Sequence, residues 1–245
     1  MPNHWLHRTE LLLGRESLQK LHSARVCVVG LGGVGSHAVE VLARTGVGSF
    51  KLIDFDQVNE TNINRQIIAL NSTVGRYKTE VMRDRIMDIN PDAHVEIFSE
   101  FLNKENRLEI LKKSDIIIDA IDSIGPKMGM IKDLCELDIP FISVMGAGNR
   151  TQADSIKITS IWKTQGCPLT KRLKKLLRRY GVQRDFDVVF SEEPPKMMSE
   201  AGVRSAATND IRPDSLPKTL VGSISYMPAI MGMMAGAWVI KKIIN

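Results

Sequence analysis

Four glycines at the end of an apolar run have the types and spacing needed to hold a phosphate. The segment VCVVGLGGVGSHAVEVLARTG places Gly30, Gly32, Gly33 and Gly35 in the pattern GxGGxG. Glycines here allow a phosphate to approach backbone N–H groups at the start of a helix, where the helix dipole favours negative charge. The turn therefore predicts a nucleotide site, and by itself it leaves a dinucleotide and ATP equally open.

An acidic residue follows at the position expected for a ribose contact. Asp54 ends the next apolar run, KLIDFD, and Asp56 beside it is a further candidate ligand. A carboxylate about 20 residues after the glycine turn can accept hydrogen bonds from ribose hydroxyls. This feature fits NAD and ATP equally, so a nicotinamide-dependent oxidoreductase remains an alternative at this point.

Polar and charged residues further along the chain favour ATP. NETNINRQ contains Asn62, Arg65 and Gln66, and VGRYKTEV contains Lys78. An enzyme that splits ATP between the α- and β-phosphates must neutralise the departing pyrophosphate, which a guanidinium and an ammonium can do. Asp122 in IIIDAIDS is a candidate ligand for Mg²⁺. Singly these residues could be surface charges or a helix cap, but their joint order indicates an adenylating enzyme.

The elements that position these residues alternate between strand and helix, which predicts an α/β fold with a mostly parallel, Rossmann-like sheet covered by helices on both faces. Strands are predicted at 25–30, 49–54, 94–98, 115–119 and 140–144. Helices are predicted at 34–46, 76–89, 104–113 and 124–137. After Gly148, SIKITSI and FDVVFS alternate like half-buried antiparallel strands, so the sheet is expected to continue in mixed form.

We therefore expect one domain, with an ATP-binding core over 1–150 and a substrate-side extension over 151–245 that has three distinctive segments. One is a basic helix in KRLKKLLRRYG, which is either a solvated face or a polyanion-binding site. Its charged residues are Lys171, Arg172, Lys174, Lys175, Arg178 and Arg179. The second, Glu192 to Pro217, is predicted to be a loop. The third, Thr219–Ile240, has no charge and predicts a buried or partner-facing helix, with weak membrane association as an alternative.

Composition narrows the class of protein. The 245 residues are 43% hydrophobic and 25% charged, with a net charge of +5, as in ordinary globular chains. The three cysteines form no CxxC pair, so neither a disulfide framework nor a zinc site is expected. Charges throughout MPNHWLHRTELLLGRESL leave no apolar leader segment, and a cytoplasmic location is expected.

Four motifs together carry a resemblance to a known family. GLGGVG, LIDFDQVNETNINRQ, VGRYKTEVMRDRIMDINP and DAIDS are similar to the signature series of the ubiquitin-activating-enzyme-like adenylyltransferases, the ThiF, MoeB and HesA superfamily. The resemblance implies a Rossmann-like ATP site with the glycines at the phosphates and Asp54 on the ribose. It places Asn62, Arg65 and Lys78 around the phosphates and Asp122 at the metal. HRTELLLG resembles the family's entry segment, in which Arg8 would reach into the ATP site of a homodimer partner.

Within that family, the segments RTELLLG, DAIDSIGPK and VVFSEE resemble those of one branch, the tRNA threonylcarbamoyladenosine dehydratases. This resemblance implies ATP-dependent cyclisation of threonylcarbamoyladenosine next to the anticodon, through adenylation of the threonyl carboxylate, with tRNA held by the basic helix. Some members have a cysteine near the last helix, where this chain has Gly222, so a covalent role is not carried over. Cys167, at the start of the basic helix, is the one candidate for a reactive thiol, and a structural thiol is the favoured alternative.

Three rival functions remain. The nearest is activation of the C-terminus of a ubiquitin-like sulfur carrier, since the ATP site would be the same; a sulfur-transfer protein could also assist the dehydratase. The others are the nicotinamide-dependent oxidoreductase and a binding module without catalysis. The complete set of expected ATP-site residues favours an enzyme over a binding module.

Overall fold

A seven-stranded sheet forms the centre of the protein in the computed structural model, which describes residues 4–196, 207–211, 217–219 and 221–245. Its strands lie in the order β3-β2-β1-β4-β5-β7-β6. All neighbours pair parallel except β6 and β7, which pair antiparallel. The strands are β1 Arg25–Val29, β2 Ser49–Ile53, β3 His94–Phe98, β4 Ile116–Asp119, β5 Phe141–Val144, β6 Ile156–Ser160 and β7 Asp187–Ser191. The predicted mixed, mostly parallel sheet is confirmed.

Helices cover both faces of the sheet. They are α1 His7–Leu13, α2 Arg15–Ser23, α3 Gly35–Arg44, α4 Lys78–Ile89, α5 Arg107–Leu111, α6 Ile124–Glu136, α7 Pro168–Arg179 and α8 Tyr226–Ile244. Three 3₁₀ turns, Glu60–Asn62, Ala153–Ser155 and Ile161–Lys163, lie in the connections. One apolar core joins α3, α4 and α8 to one face of the sheet, and a second joins α6 and α7 to the other.

The central strands are apolar along their length because both of their faces are covered. Every residue of β4 and β5 is buried, as are four of the five residues of β1. The strand order reverses between β1 and β4, and ligands of open α/β sheets bind beyond the carboxyl ends of the strands at such a point. The glycine turn after β1, Asp54 after β2 and Asp122 after β4 therefore lie along one edge of the sheet.

The last helix packs closely on α3. A Cβ atom added to Gly232 would lie 2.2 Å from the carbonyl oxygen of Val34, so only glycine fits there. This contact explains the small residues in the apolar C-terminal segment. The helix begins at Tyr226, not at Thr219 as the uncharged run suggested. Within the described ranges it is the one helix long and apolar enough to cross a membrane.

The prediction of a loop from Glu192 to Pro217 is wrong in part. Strand β8, Ala207–Ile211, pairs antiparallel with β9, Pro217–Thr219, in a separate two-stranded sheet. Neither segment has the apolar alternation that signals a strand in a sequence. Residues 192–196 are irregular, and the remainder of the predicted loop lies outside the described residues.

The close approach of α8 to α3 predicts that alanine substitutions at two helical glycines change the free energy of unfolding in opposite directions. Gly232→Ala should lower the free energy of unfolding by about 1–3 kcal/mol, because the methyl group meets the backbone of α3. Gly125→Ala in α6 is the matched control, since no atom lies within 4 Å of its added Cβ; it should raise stability by up to about 1 kcal/mol. Urea unfolding measures both, and equal effects would contradict the packing described here.

Candidate active site

The glycine turn is shaped by contacts that exclude side chains. A Cβ added to Gly35 would lie 1.8 Å from the carbonyl oxygen of Gly30, and one added to Gly30 would lie 2.7 Å from that of Ala120. Gly30 also has a φ of +90°, which disfavours other residues. Gly33 packs against Pro228 of α8, whereas a Cβ on Gly32 would meet just the amide nitrogen of Gln66, at 3.9 Å. Gly30 and Gly35 thus serve the fold, while Gly32 leaves its backbone approachable.

The start of α3 is suited to an anion. The first N–H groups of an α-helix have no partner within the helix and carry the positive end of its dipole. The residue at the N-cap position, Val34, makes no side-chain cap hydrogen bond. A phosphate bound over Gly32 could satisfy these donors.

Asp54 joins the end of β2 to the glycine turn. Its Oδ2 accepts a hydrogen bond from the Leu31 backbone N–H (2.6 Å), and its Oδ1 accepts one from that of Asp56 (2.8 Å). Burial raises the pKa of the Asp54 carboxyl, with the ammonium of Lys78 acting in the opposite direction. Each carboxylate oxygen has a second lone pair, so Asp54 can still accept from ribose hydroxyls.

Lys78 begins α4 and is 4% exposed. Its Nζ donates to Asp56 Oδ2 (2.7 Å) and lies 4.0 Å from Asp54 Oδ1. The structure thus brings Lys78 together with the two carboxylates expected at the ribose. An ammonium has three donors, so it can bridge these carboxylates to a phosphate.

Arg65 is held by the loop that carries it. Its Nη1 donates to the carbonyl of Thr61 (2.7 Å) and to Asn64 Oδ1 (2.9 Å). Burial lowers the pKa of Arg65, and the nearby Asp122 carboxylate opposes this effect. The Asn62 side chain accepts from the Asn59 N–H (3.2 Å) and completes the capping box of the 3₁₀ turn that Asn62 ends, so it helps to shape the loop.

Gln66 contains a buried atom that lacks a partner. The side chain is 6% exposed, and within the described residues its Oε1 is the one buried side-chain oxygen or nitrogen without a hydrogen bond. Such a group costs about 1–3 kcal/mol. Rotation of the amide exchanges its oxygen and nitrogen, so Gln66 can offer an acceptor or two donors beside Gly32. This arrangement fits a nucleotide that supplies the missing partner.

Asp122 follows β4 on the same edge of the sheet. Its carboxylate is exposed and accepts a hydrogen bond from the Ser123 hydroxyl (3.0 Å). Mg²⁺ is commonly held by one or two carboxylates together with waters and substrate phosphates. The donor set at this position therefore fits a Mg²⁺ ion bound with a triphosphate.

The predicted tRNA-binding residues lie apart from these groups, on α7. Leu173 and Leu177 are buried on one side of the helix. Five of the six basic residues are exposed, and the sixth, Lys174, donates to the carbonyl of Thr164 (2.8 Å). The Arg178 guanidinium lies 5.3 Å from the centre of the Trp162 ring, a cation–π contact. Arg8 is exposed on α1.

Three buried groups near the site have partners that the sequence does not reveal. Cys167 is 3% exposed and accepts a hydrogen bond from Arg150 (3.5 Å), so its position is that of a packed thiol. Arg150 itself also holds the loop after β5 through the Gly146 carbonyl (2.7 Å). Lys127 is fully buried beside Asp119. A lysine in the first turn of a helix is usually solvated, so nothing in the sequence marks it as a core residue.

The chain is similar to known proteins over nearly its whole length. The ThiF family model matches residues 6–245. A tRNA threonylcarbamoyladenosine dehydratase of Bacillus subtilis is 39% identical over 99% of this chain and 95% of that protein. Crystal structures of Escherichia coli tRNA N6-threonylcarbamoyladenosine dehydratase in complex with AMP and with ATP superpose with a TM-score of 0.83 at 35% identity. Each superposition covers 96% of this chain and 92% of the Escherichia coli chain.

A relative with a different named activity matches less of the chain. A probable molybdopterin-synthase adenylyltransferase of Porphyra purpurea is 35% identical over 132 residues, or 54% of this chain and 34% of that protein. The similarity to the dehydratases thus covers nearly the whole of both proteins, whereas this second similarity covers about half of this chain.

The unpartnered oxygen of Gln66 predicts opposite effects on stability and on binding. Gln66→Met keeps the side-chain volume and removes the buried amide, so it should leave the free protein equally stable or more stable by about 1 kcal/mol. It should also raise the Kd for ATP by about tenfold, because a hydrogen bond to a charged ligand is lost.

The matched control is Gln183→Met, at an exposed position beyond α7. Thermal unfolding and isothermal titration with ATP measure the two quantities. An unchanged Kd in Gln66→Met would show that Gln66 packs against the turn without contacting the ligand.

Proposed function

Because the chain belongs to the ThiF family, we propose that it is an ATP-dependent enzyme that cyclises threonylcarbamoyladenosine in tRNA with loss of water. Similarity to named dehydratases over nearly the full length of both proteins is the observation that carries this assignment. The polar residues around the glycine turn supply the chemistry that an adenylation requires.

In the first step the threonyl carboxylate attacks the α-phosphorus of ATP. An oxygen–phosphorus bond forms to the carboxylate as the bond to pyrophosphate breaks, which gives an acyl-adenylate. Arg65 would neutralise the charge that develops on the departing pyrophosphate, with Lys78 oriented by Asp56 acting from the other side. Asp54 would hold the ribose through its remaining lone pairs.

In the second step a nucleophile in the same substituent attacks the acyl carbon. The ring closes, AMP leaves with one carboxylate oxygen, and the nucleophile loses its proton. The net change in the nucleoside is the loss of one water. Intramolecular attack can reach effective molarities of about 10⁵ M, so the step needs no enzyme thiol. The burial of Cys167 is consistent with this route.

Asp122 would hold Mg²⁺ on the phosphate side of the site. The ion, when bound, would supply positive charge to the triphosphate oxygens. The short spacing between β4 and α6 keeps Asp122 close to the glycine turn, because Ala120 contacts Gly30. A zinc site is not part of the proposal.

The tRNA would lie along α7. Its exposed basic side chains form one continuous face, since Leu173 and Leu177 are buried on the other. Phosphate contacts of this kind bind without regard to sequence and weaken as salt is added. The helix begins at Pro168, directly after the thiol that contacts Arg150 in the loop beyond β5, so one end of α7 adjoins the site edge.

We also propose a homodimer in the cytoplasm, in which Arg8 reaches the partner's site. The helix that carries Arg8 exposes two leucines one turn further on, Leu11 at 75% and Leu12 at 82%. Residues three and four positions apart share one face of a helix. This apolar face beside an arginine supports an interface between two copies. A sulfur-transfer protein remains a possible further partner.

A direct assay tests the assignment. Incubation with ATP, Mg²⁺ and native tRNA that carries threonylcarbamoyladenosine should lower the mass of that nucleoside by one water, as measured by mass spectrometry. Arg65→Ala should slow this conversion by about 10²-fold or more, because charge stabilisation in the transition state is lost.

Arg83→Ala on α4 serves as the control, because Arg83 pairs with Asp84 (2.9 Å) on the surface. The alternative function is activation of a ubiquitin-like sulfur carrier. Unmodified nucleoside, together with ATP–pyrophosphate exchange stimulated by a small protein ending in Gly-Gly, would select that alternative.

Charge reversal on α7 should weaken the binding of tRNA and leave the binding of ATP unchanged. Lys171→Glu with Lys175→Glu should raise KM for tRNA by about tenfold or more and flatten its dependence on salt, while Kd for ATP stays unchanged. Lys104→Glu with Lys113→Glu is the matched control, since both positions are exposed and lie outside α7. Equal increases in KM for the two double variants would indicate a general charge effect and no α7 site.

A further inference from the structure

A fully buried ion pair lies beneath the loop that carries Asp122. Lys127 of α6 and Asp119 of β4 are both 0% exposed. The Lys127 ammonium donates to Asp119 Oδ2 (2.7 Å), to the hydroxyl of Ser143 in β5 (3.1 Å) and to the Val144 carbonyl (3.0 Å). All three of its N–H donors are therefore used, and the group links three elements.

Stability alone gives little reason for this arrangement. Moving two charges out of water is costly, and well-packed apolar residues often replace a buried ion pair without loss of stability. Burial lowers the pKa of Lys127, which shows that desolvation opposes its charge. The contacts of the pair point to another role.

Asp119 ties the pair to the backbone of the site. Its Oδ2 also accepts from the Ser143 hydroxyl (2.6 Å), and its Oδ1 accepts from the backbone N–H of Ile121 (3.1 Å). Ile121 directly precedes Asp122. The N–H of Ala120 donates to the Val29 carbonyl at the end of β1 (2.9 Å), so the same loop is also joined to the strand before the glycine turn.

The charges of the pair and of the site interact across the loop. The Asp122 carboxylate acts to raise the pKa of Lys127, in the same direction as Asp119. Asp119 is enclosed and its oxygens accept from Lys127, Ser143 and Ile121, whereas Asp122 is exposed at the site. The first aspartate of DAIDS therefore supports the loop, and the second faces the ligand side.

We propose that Lys127, Asp119 and Ser143 form a positioning group that fixes the backbone between β4 and α6 and thereby directs Asp122 toward the metal–triphosphate. The proposal rests on the proposed function, since it assumes the metal role of Asp122. None of the three residues would touch the substrate. Groups that orient a metal ligand commonly change metal affinity by about 10- to 100-fold when removed.

Ser143→Ala is the variant of choice. It removes one hydrogen bond from each partner and leaves the ion pair in place, whereas Lys127→Met would leave a buried carboxylate unpaired and endanger folding. The matched control is Asp133→Asn, which removes the charge of a buried carboxylate on the same helix α6 that pairs with Arg107 of α5. Thermal unfolding of both variants checks that they are folded.

The measurement is Mn²⁺ binding, followed by electron paramagnetic resonance in the presence of an ATP analogue that cannot be cleaved between the α- and β-phosphates. Ser143→Ala should weaken Mn²⁺ binding by about tenfold, with the Kd for ATP in EDTA unchanged, and Asp133→Asn should leave both values at the wild-type level. Equal Mn²⁺ affinity in Ser143→Ala and wild type would overturn the positioning role. If the wild type bound Mn²⁺ but left tRNA unmodified, that result would count against the proposed function alone.

Discussion

The approach of Gly35 to the carbonyl of Gly30 is the contact on which the site depends. No side chain fits between them, so strand β1, the turn and helix α3 are joined backbone to backbone. Ala120, directly after β4, packs against Gly30. Asp54, directly after β2, accepts a hydrogen bond from the Leu31 N–H in the turn. The ends of three strands are thereby held together at the point where the sheet reverses its order, which is where an α/β sheet binds its ligands.

Around that contact the charged groups separate into two sets. Asp54, Asp56 and Lys78 form one cluster in which Asp54 and Lys78 are buried, while Arg65 and Asp122 influence each other on a more open side. Several of these groups are unfavourable in the free protein: burial raises the pKa of Asp54 and lowers that of Arg65, and Gln66 has an unpartnered oxygen. Sites that bind ligands often sacrifice stability in this way. A bound nucleotide could relieve each of these costs.

Much of the framework could be predicted from the sequence, because periodicity reports burial. The five parallel strands, the antiparallel pair after Gly148 and the basic helix all occur near their predicted positions. Residues whose partners are distant in the chain were not predictable. Lys127 of α6 meets Ser143 of β5, and Cys167 meets Arg150 in the loop after β5. Neither contact has a local sequence pattern. Strands β8 and β9 were not predicted because their sequences lack the alternation of apolar and polar residues.

In the proposed reaction the glycine turn holds a triphosphate so that a carboxylate can be joined to AMP. A crystal structure of the protein with ATP and Mg²⁺ would test this arrangement. We expect the ribose at Asp54, the phosphates over Gly32, and Arg65 and Asp122 directed at the polyphosphate. A purine bound elsewhere, or Arg65 and Asp122 turned away from the phosphates, would contradict it.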